Sequence, residues 1–232
     1  MSKETLSAEP LPQYLADRYN SWRGRGFVPN QALFARLAES GQHPRAMVIG
    51  CCDSRVDVGA IFAAEPGELF VLRNVANLVP PFSPDHLHHG TGTSAAIEYA
   101  VDTLKVAHIV VFGHAQCGGV GACYDLQEGR AGEGLKESLF LRQWVEILQP
   151  AYKRVIDHNT KQFDDDAKKR DALLPSLEHE GIRQSLRNLM TFPFVKKAVE
   201  AGSMSLHGVW INIVDGTLQT ITGPDGHFQP VE

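Results

Sequence analysis

Three short apolar runs, each bounded by turn residues, predict buried β-strands. Between and after them, apolar side chains recur at the three-to-four-residue spacing of amphipathic helices. The predicted strands are residues 46–50, 68–72 and 107–113, and the predicted helices are residues 94–104, 139–156 and 182–190. Continuous apolar strands separated by helices are typical of a parallel sheet that is covered on both faces.

Both ends of the chain add elements to this pattern. Apolar positions within residues 12–40 have helical spacing, but glycine, proline and asparagine interrupt them at positions 24–30, which predicts two helices joined by a loop. Residues 208–214 alternate towards a strand, and Asp215-Gly216 is a hairpin turn signal that leads into a further strand at residues 218–222. The last strand is therefore expected to be antiparallel.

These elements predict an α/β fold in a single domain, residues 1–232. Its core, residues 41–232, is expected to hold a mainly parallel sheet of four strands plus an antiparallel edge strand, flanked by helices. Residues 1–40 are expected to form an N-terminal helical arm that extends onto a partner subunit, since amphipathic helices suit a surface that another chain covers.

Composition and charge exclude several classes of protein. The 232 residues are 43% hydrophobic and 21% charged, as in ordinary globular domains. The net charge of −5 argues against nucleic acid as a partner. No apolar run approaches the about 18 residues of a membrane helix, and the first residues lack the apolar stretch of a secretory signal. We therefore expect no membrane span and a cytoplasmic location.

Candidate metal ligands stand directly after two of the predicted strands. Cys51 follows the first strand, and His114 and Cys117 follow the third. Ligands of open parallel sheets bind beyond the carboxyl ends of the strands, so these side chains meet if the two strands are neighbours. Two thiolates and one imidazole suit Zn²⁺, and three protein ligands leave a fourth position open, as in catalytic sites. Chemistry alone would also allow Cys52, but we assign Cys52 and Cys123 to structure.

The motifs in these two segments resemble those of the β-class carbonic anhydrases. They are Cys51-x-Asp53-Ser54-Arg55 and His114-x-x-Cys117-Gly118. The resemblance continues through residues 67–77, 95–101 and 185–195 and covers roughly residues 10–222. It implies a carbonate dehydratase, a lyase that interconverts carbon dioxide and bicarbonate by attack of zinc-bound hydroxide.

The resemblance also implies a role for each matching residue. One Zn²⁺ per chain is expected on Cys51, His114 and Cys117, with Asp53 and Arg55 as the catalytic pair. The substrate-binding residues are expected to be Gln42, Phe70, Val75, Tyr99 and Gly118. The family forms homo-oligomers, either dimers or multiples of dimers, with the active site near the subunit interface.

Physical chemistry gives these residue types plausible tasks. Asp53 can accept the remaining proton of the hydroxide in a hydrogen bond, and Arg55 can hold Asp53 ionised with a bidentate fork. The Gln42 amide can bind a substrate oxygen on which charge develops. Phe70, Val75 and Tyr99 would form the apolar wall that suits a nonpolar gas.

A second subclass of the family has a regulatory bicarbonate pocket made of Trp, Arg and Tyr. The corresponding positions here are Val48, Arg73 and Ile211. Because the Trp and the Tyr are missing, the resemblance favours the plant-like subclass with an open zinc site. We expect Asp53 to stay off the metal, and we expect no bicarbonate-driven inactive state.

Three other functions remain open from the sequence. The same scaffold can hydrolyse carbonyl sulfide or carbon disulfide, and the Cys51-Cys52 pair can belong to a non-enzymatic zinc or thiol module. A phosphate-binding dinucleotide fold is less favoured because no G-x-G-x-x-G follows the first strand. His86, His88 and His89 lie in a Pro- and Gly-flanked segment, expected to be exposed, where a proton-shuttle role is conceivable.

Overall fold

A computed structural model describes residues 9–84, 91–223 and 226–232. These residues divide into two compact units, of which the first ends at Gln42 and the second runs from His43 to Glu232. The three histidines at positions 86, 88 and 89 lie outside the described residues.

The first unit consists of two helices, as the apolar spacing predicts. They are α1 (Gln13–Trp22) and α2 (Gln31–Ser40). The connection differs from the expected loop, because a π-helical turn at Arg23–Phe27 and a 3₁₀ turn at Val28–Asn30 continue the helical path. The rings of Phe27 and Phe34 pack at 5.1 Å, and the Trp22 ring lies about 6 Å from both. Neither helix of this unit buries a residue, so its apolar side chains stay largely exposed.

The second unit is built on one six-stranded sheet with the strand order β2-β1-β3-β4-β5-β6. Its strands are β1 (Ala46–Cys51), β2 (Leu69–Asn74), β3 (His108–His114), β4 (Ser205–Ile211), β5 (Leu218–Thr222) and β6 (His227–Pro230). The first four strands in this order run parallel to one another. β5 pairs in the antiparallel direction with both of its neighbours, β4 and β6. The mainly parallel sheet and its antiparallel strand are thus confirmed, while β6 is an addition that the sequence did not reveal.

The described residues of this unit also form eight α-helices. They are α3 (Val58–Ile61), α4 (Thr91–Glu98), α5 (Gly118–Gln127), α6 (Glu133–Lys136), α7 (Leu141–Val145), α8 (Gln149–Asp157), α9 (Asp166–Leu189) and α10 (Pro193–Glu200).

Helix boundaries differ from the sequence prediction at several points. The helix expected from Ser94 begins at Thr91, so Ser94 is not its N-cap. The long helix expected over 139–156 is split into α7 and α8 by a 3₁₀ turn at Glu146–Leu148, and Pro150 occupies the first turn of α8. Proline fits a first turn because its missing N–H needs no partner there.

Alternating side chains of the central strands bury the two faces of the sheet. Met47 and Ile49 of β1 pack in one cluster with Ile182 of α9, whereas Val48 packs in a second cluster on the other face. A Cβ atom at Gly113 would lie 2.7 Å from the Ile182 side chain. Glycine at this position therefore allows α9 to approach the end of β3, beside the candidate ligands.

Among the described residues, no helix has both the length and the apolar character that crossing a bilayer requires.

Replacing His179 with phenylalanine is expected to make the protein less sensitive to acid. Burial, with a contribution from nearby Arg183, lowers the pKa of His179 to about 4, and its ring stacks on Phe228 at 4.1 Å. Because the unfolded chain binds this proton at higher pH than the folded chain, His179 destabilises the fold as pH falls from about 6.5 towards 4.

Urea unfolding at pH 7.5 and pH 5.0 measures this effect. We expect the loss of unfolding free energy between the two pH values to be smaller in His179→Phe than in wild type by on the order of 1 kcal/mol. His158→Phe, which replaces an exposed histidine, is the control and should lose as much as wild type. An equal loss in all three proteins would contradict the prediction.

Candidate metal centre

The sheet brings the two candidate motifs to one edge. β1 ends at Cys51 and β3 ends at His114. The two strands are parallel neighbours, with Gly50 paired to Phe112, so their carboxyl ends point the same way. After His114 the chain makes a short turn that carries Cys117, and α5 begins at the next residue. The expected proximity of the two motifs is confirmed.

Cys51, His114 and Cys117 form one buried group. Their ligand atoms all lie within 4.8 Å of one another, and the two sulfurs are 3.9 Å apart. Two zinc–sulfur bonds of about 2.3 Å at a tetrahedral angle would separate the sulfurs by about 3.8 Å. The spacing of the thiols therefore fits a tetrahedral Zn²⁺ site.

The electrostatics of the two thiols point to a cation. Hydrogen bonding between the two sulfurs lowers the pKa of Cys51 and raises the pKa of Cys117. The Cys51 sulfur also accepts the N–H groups of Asp53 and Ala76, each at 3.4 Å. Ala76 has a positive φ of 64°, a strained conformation for alanine that aims its N–H at the sulfur. Two thiolates this close repel each other unless a cation lies between them.

His114 presents one nitrogen to the sulfurs. Its Nδ1 is 2.8 Å from the Ala115 carbonyl oxygen, to which it donates, and this fixes the tautomer in which Nε2 carries a lone pair. Nε2 is buried and has no hydrogen-bond partner among the described residues. A buried polar atom without a partner is rare, and a metal ion would satisfy it.

Asp53 and Arg55 form a bidentate pair beside this group. Arg55 Nε donates to Asp53 Oδ1 at 2.9 Å, and Arg55 Nη2 donates to Oδ2 at 2.6 Å. These hydrogen bonds hold the pKa of the Asp53 carboxyl well below its usual range. Asp53 Oδ2 lies 3.8 Å from His114 Nε2, which places the carboxylate next to the ligand group while Arg55 engages both of its oxygens.

Arg73 has a structural role that the sequence did not suggest. Its Nε donates to the Cys51 carbonyl, and its Nη2 donates to the carbonyls of Asp53 and Val56, all within 2.8 Å. Arg73 thereby clamps the segment that carries Cys51 and Asp53. Arg73 directly precedes Asn74, which pairs with Cys51 in the sheet, but no local sequence pattern predicts these hydrogen bonds.

The structure locates some of the expected substrate-binding residues near the metal-binding group more clearly than others. The rings of Phe70 and Tyr99 lie 5.8 Å apart and form a half-exposed apolar pair. Val75 precedes Ala76, whose N–H reaches Cys51, so Val75 borders the metal group. Gln42 is the last residue of the first unit, and its place in a substrate pocket stays a prediction.

Two neighbouring glycines after Cys117 differ in the space around them. A Cβ atom at Gly118 would meet nothing within 4 Å among the described residues. At Gly119 it would lie 2.7 Å from Val75 Cγ1 and 2.9 Å from Ala76 Cβ. A side chain is therefore sterically disfavoured at position 119, and the role of Gly118 in substrate binding stays a prediction.

Gly119→Ala is expected to destabilise the protein, because the added methyl would push against Val75 and Ala76. We expect a loss of about 1–3 kcal/mol of unfolding free energy in a denaturant titration. Gly118→Ala is the matched control and should change stability by less than about 1 kcal/mol. Equal stability of the two variants would contradict the prediction and would mean that the segment around Val75 can shift to accommodate the methyl group.

The remaining two cysteines lie away from the ligand group. Cys52 is exposed and its backbone N–H donates to the Asn74 carbonyl. Cys123 is fully buried in α5, where burial raises the pKa of its thiol to about 12. Cys123 is not part of the metal-binding group and packs in an apolar cluster, which agrees with a structural role.

The fold and the site together define a class of protein. It is an α/β protein whose parallel strands place two thiols and one imidazole at adjacent strand ends, where they can bind a metal ion. Comparison with known proteins then gives the family. Residues 46–218 match the carbonic anhydrase family. The chain is 31% identical to beta carbonic anhydrase 6, mitochondrial, of Arabidopsis thaliana over 220 residues, 94% of this chain and 70% of the relative.

Two solved structures agree with this match. The β-carbonic anhydrase CcaA superposes with a TM-score of 0.82 at 31% identity, over 95% of this chain and 92% of CcaA. A tetrameric β-carbonic anhydrase of Sordaria macrospora has a TM-score of 0.71 at 30% identity, over 91% of this chain and 96% of the other. The chain belongs to the β class of the carbonic anhydrase family, whose enzymes are zinc-dependent carbonate dehydratases.

Proposed function

We propose that this protein catalyses the reversible hydration of carbon dioxide to bicarbonate and a proton at a Zn²⁺ ion held by Cys51, His114 and Cys117. The observation that carries the proposal is the buried group of two sulfurs 3.9 Å apart and one imidazole nitrogen without a hydrogen-bond partner among the described residues. One ion per chain accounts for all three side chains. When bound, Zn²⁺ acidifies a water molecule, so that hydroxide is available near neutral pH.

Asp53 and Arg55 are proposed to orient the nucleophile. Because Arg55 keeps the Asp53 carboxylate ionised, Asp53 can accept a hydrogen bond from the proton that the nucleophile retains. This fixes the direction of a lone pair towards the carbon of the substrate. The backbone hydrogen bonds that Arg73 makes hold Asp53 at its position relative to Cys51.

The substrate is proposed to be a small nonpolar molecule. Phe70, Val75 and Tyr99 offer apolar surface, and Gln42 and Gly118 complete the binding residues that the family resemblance implies. The geometry favours the open form of the site, since both Asp53 oxygens are bound by Arg55 and Asp53 is not part of the metal-binding group. Val48 and Ile211 are buried in the core, which supports the plant-like subclass without a bicarbonate pocket.

Stopped-flow CO₂ hydration, with zinc quantified in the same sample, tests this function. One zinc per chain together with hydration that chelation abolishes and zinc restores would support it. Zinc without hydration would contradict it, and hydrolysis of carbonyl sulfide or carbon disulfide in place of hydration would favour that alternative. A thiol-redox role is poorly supported by the geometry, because Cys52 is exposed whereas Cys51 lies buried beside Cys117.

We further propose that the chain acts as one domain, residues 1–232, in a homo-oligomer built from dimers, with residues 1–40 as an arm on a partner subunit. Support comes from α1, where Tyr14 and Tyr19 are 63% and 54% exposed. Large apolar side chains exposed on one short helix favour burial against another chain. The tetrameric Sordaria macrospora relatives agree with such an assembly.

The double substitution Tyr14→Asp/Tyr19→Asp is expected to shift the protein towards monomer, because two carboxylates on the arm would have to be desolvated at an interface. Light scattering coupled to size exclusion measures the mass. Gln13→Glu/Asn20→Asp adds the same charge to the same helix at exposed polar positions and should leave the oligomer intact. An unchanged mass for both variants would mean that the arm makes no intersubunit contact.

A cytoplasmic location is part of the same proposal. Thiolate ligands need a compartment that keeps cysteines reduced, and the described cysteines are all free. The Arabidopsis relative is mitochondrial by name, so fractionation of cells that express the tagged full chain decides between the two compartments.

A further inference from the structure

One buried carboxylate behind the metal group takes no part in the mechanism above. Glu178 of α9 is only 4% exposed. Its Oε1 accepts the backbone N–H of Cys117 at 3.2 Å, and its Oε2 accepts the indole N–H of Trp210 at 3.1 Å. The carboxylate is therefore surrounded by donors from two other elements.

The Cys117 N–H belongs, with the preceding Gln116, to the turn that shapes the site. Gln116 has a positive φ of 56°, which few residues other than glycine adopt without support. Its carbonyl oxygen accepts a hydrogen bond from Arg55 Nη2 at 3.0 Å, and the same Nη2 donates to Asp53 Oδ2. Glu178 thus contacts a single turn that presents both a zinc ligand and the anchor of Arg55.

We propose that Glu178 is a positioning residue, which holds the Gln116–Cys117 turn so that the Cys117 sulfur and the Arg55–Asp53 pair keep their geometry. This inference rests on the proposed function, because it assigns Glu178 to the same metal site. A buried carboxylate is costly to desolvate, and hydrogen-bond donors on both of its oxygens offset that cost. Groups that support metal ligands in this way commonly change metal affinity or activity by about 10- to 100-fold when replaced.

The need for two acceptors makes Glu178→Gln the informative substitution. Glutamine has nearly the same shape but only one acceptor oxygen, so its NH₂ group would face a backbone or indole N–H. We expect zinc release to excess chelator to become about 10-fold faster and kcat to fall about 10-fold, with KM within about 2-fold of wild type.

Glu180→Gln is the matched control on the same helix. Glu180 pairs with Arg154, Arg183 and Arg187 and makes no contact with the Gln116–Cys117 turn that the structure records. Its replacement should lower the melting temperature while zinc release and kcat stay at wild-type values. A merely structural role for Glu178 predicts that both variants behave alike.

Trp210→Phe provides a test by rescue. Removing the indole N–H leaves the glutamine of Glu178→Gln free to turn its oxygen to the Cys117 N–H and its NH₂ group to the phenylalanine ring. The double variant Glu178→Gln/Trp210→Phe should therefore retain zinc better than Glu178→Gln alone. Additive losses in the double variant would overturn the proposal, as would unchanged zinc release and kcat in Glu178→Gln.

Glu178→Asp decides the question if Glu178→Gln does not fold. Aspartate keeps the charge and both acceptors but is shorter by one methylene, so it cannot reach the turn from the same backbone position. Faster zinc release with an ordered far-ultraviolet spectrum would support the proposal, and wild-type release would overturn it. Wild-type protein that neither binds zinc nor hydrates CO₂ would instead contradict the proposed function.

Discussion

Cys51→Ser is expected to abolish zinc binding and to lower the rate of CO₂ hydration by at least about 10³-fold, whereas Cys52→Ser leaves both near wild type. The two substitutions make the same chemical change at adjacent positions. Cys51 is buried with its sulfur 3.9 Å from that of Cys117, and Cys52 is exposed. A serine hydroxyl does not ionise near neutral pH and is a weak ligand for Zn²⁺, so Cys51→Ser removes one of three ligands.

Zinc content by atomic absorption and hydration by stopped flow, measured on the same preparations, give the result. The residual sulfur of Cys117 should also become easier to alkylate in Cys51→Ser, because no ion protects it. Retention of one zinc by Cys51→Ser would contradict the ligand assignment. Loss of zinc from Cys52→Ser would show that the other cysteine of the pair is the ligand, the choice that chemistry alone left open.

The central part of the fold follows from the sequence because its signal is local. β1 and β3 are apolar runs with turn residues at their ends, and the helices between them force parallel connections. Once these strands are neighbours, the rule for the carboxyl ends of parallel strands brings Cys51 and His114 together. The Asp215-Gly216 turn signal is also local and predicts a hairpin, and β4 and β5 do pair in the antiparallel direction.

Other elements depend on contacts that no local pattern encodes. β6 is a four-residue strand that is defined by its pairing with β5 rather than by its own apolar character. The break between α7 and α8 occurs within a stretch whose apolar side chains keep one helical spacing throughout. Pro150, in the first turn of α8, is the one local residue that favours a break there. The first six residues of helix α5 include three glycines and one cysteine, a composition that does not suggest a helix, yet the helix starts directly after Cys117.

The residues of the site also differ in whether the sequence alone could identify them. Ligand types and spacing identify Cys51, His114 and Cys117, because the chemistry of Zn²⁺ restricts the choice. Arg73 and Glu178 support these ligands from 22 residues and 61 residues away in sequence. An arginine in a strand and a glutamate in a long polar helix have many ordinary explanations, so only the folded chain reveals their hydrogen bonds.

Asp53→Asn is expected to lower kcat/KM for CO₂ hydration by about 10²-fold while the protein keeps its zinc. The carboxylate offers two acceptors to Arg55, and an amide would turn its NH₂ group towards the guanidinium or towards the nucleophile. In the first orientation the NH₂ group faces an Arg55 N–H and disrupts the bidentate pair, and in the second the nucleophile loses its acceptor. Asp57→Asn is the control in the same loop, because asparagine replaces aspartate well as the N-cap of α3.

The comparison separates orientation from simple support of the loop. If Asp53 only anchored Arg55, then Arg55→Ala would cost as much as Asp53→Asn, and activity would track the melting temperature in both. If Asp53 orients the nucleophile, Asp53→Asn loses activity at a nearly unchanged melting temperature, and Arg55→Ala loses less because the carboxylate remains. Activity of Asp53→Asn above half of the wild-type value would leave the bidentate pair with a structural role alone, since the carboxylate would then be dispensable for the reaction.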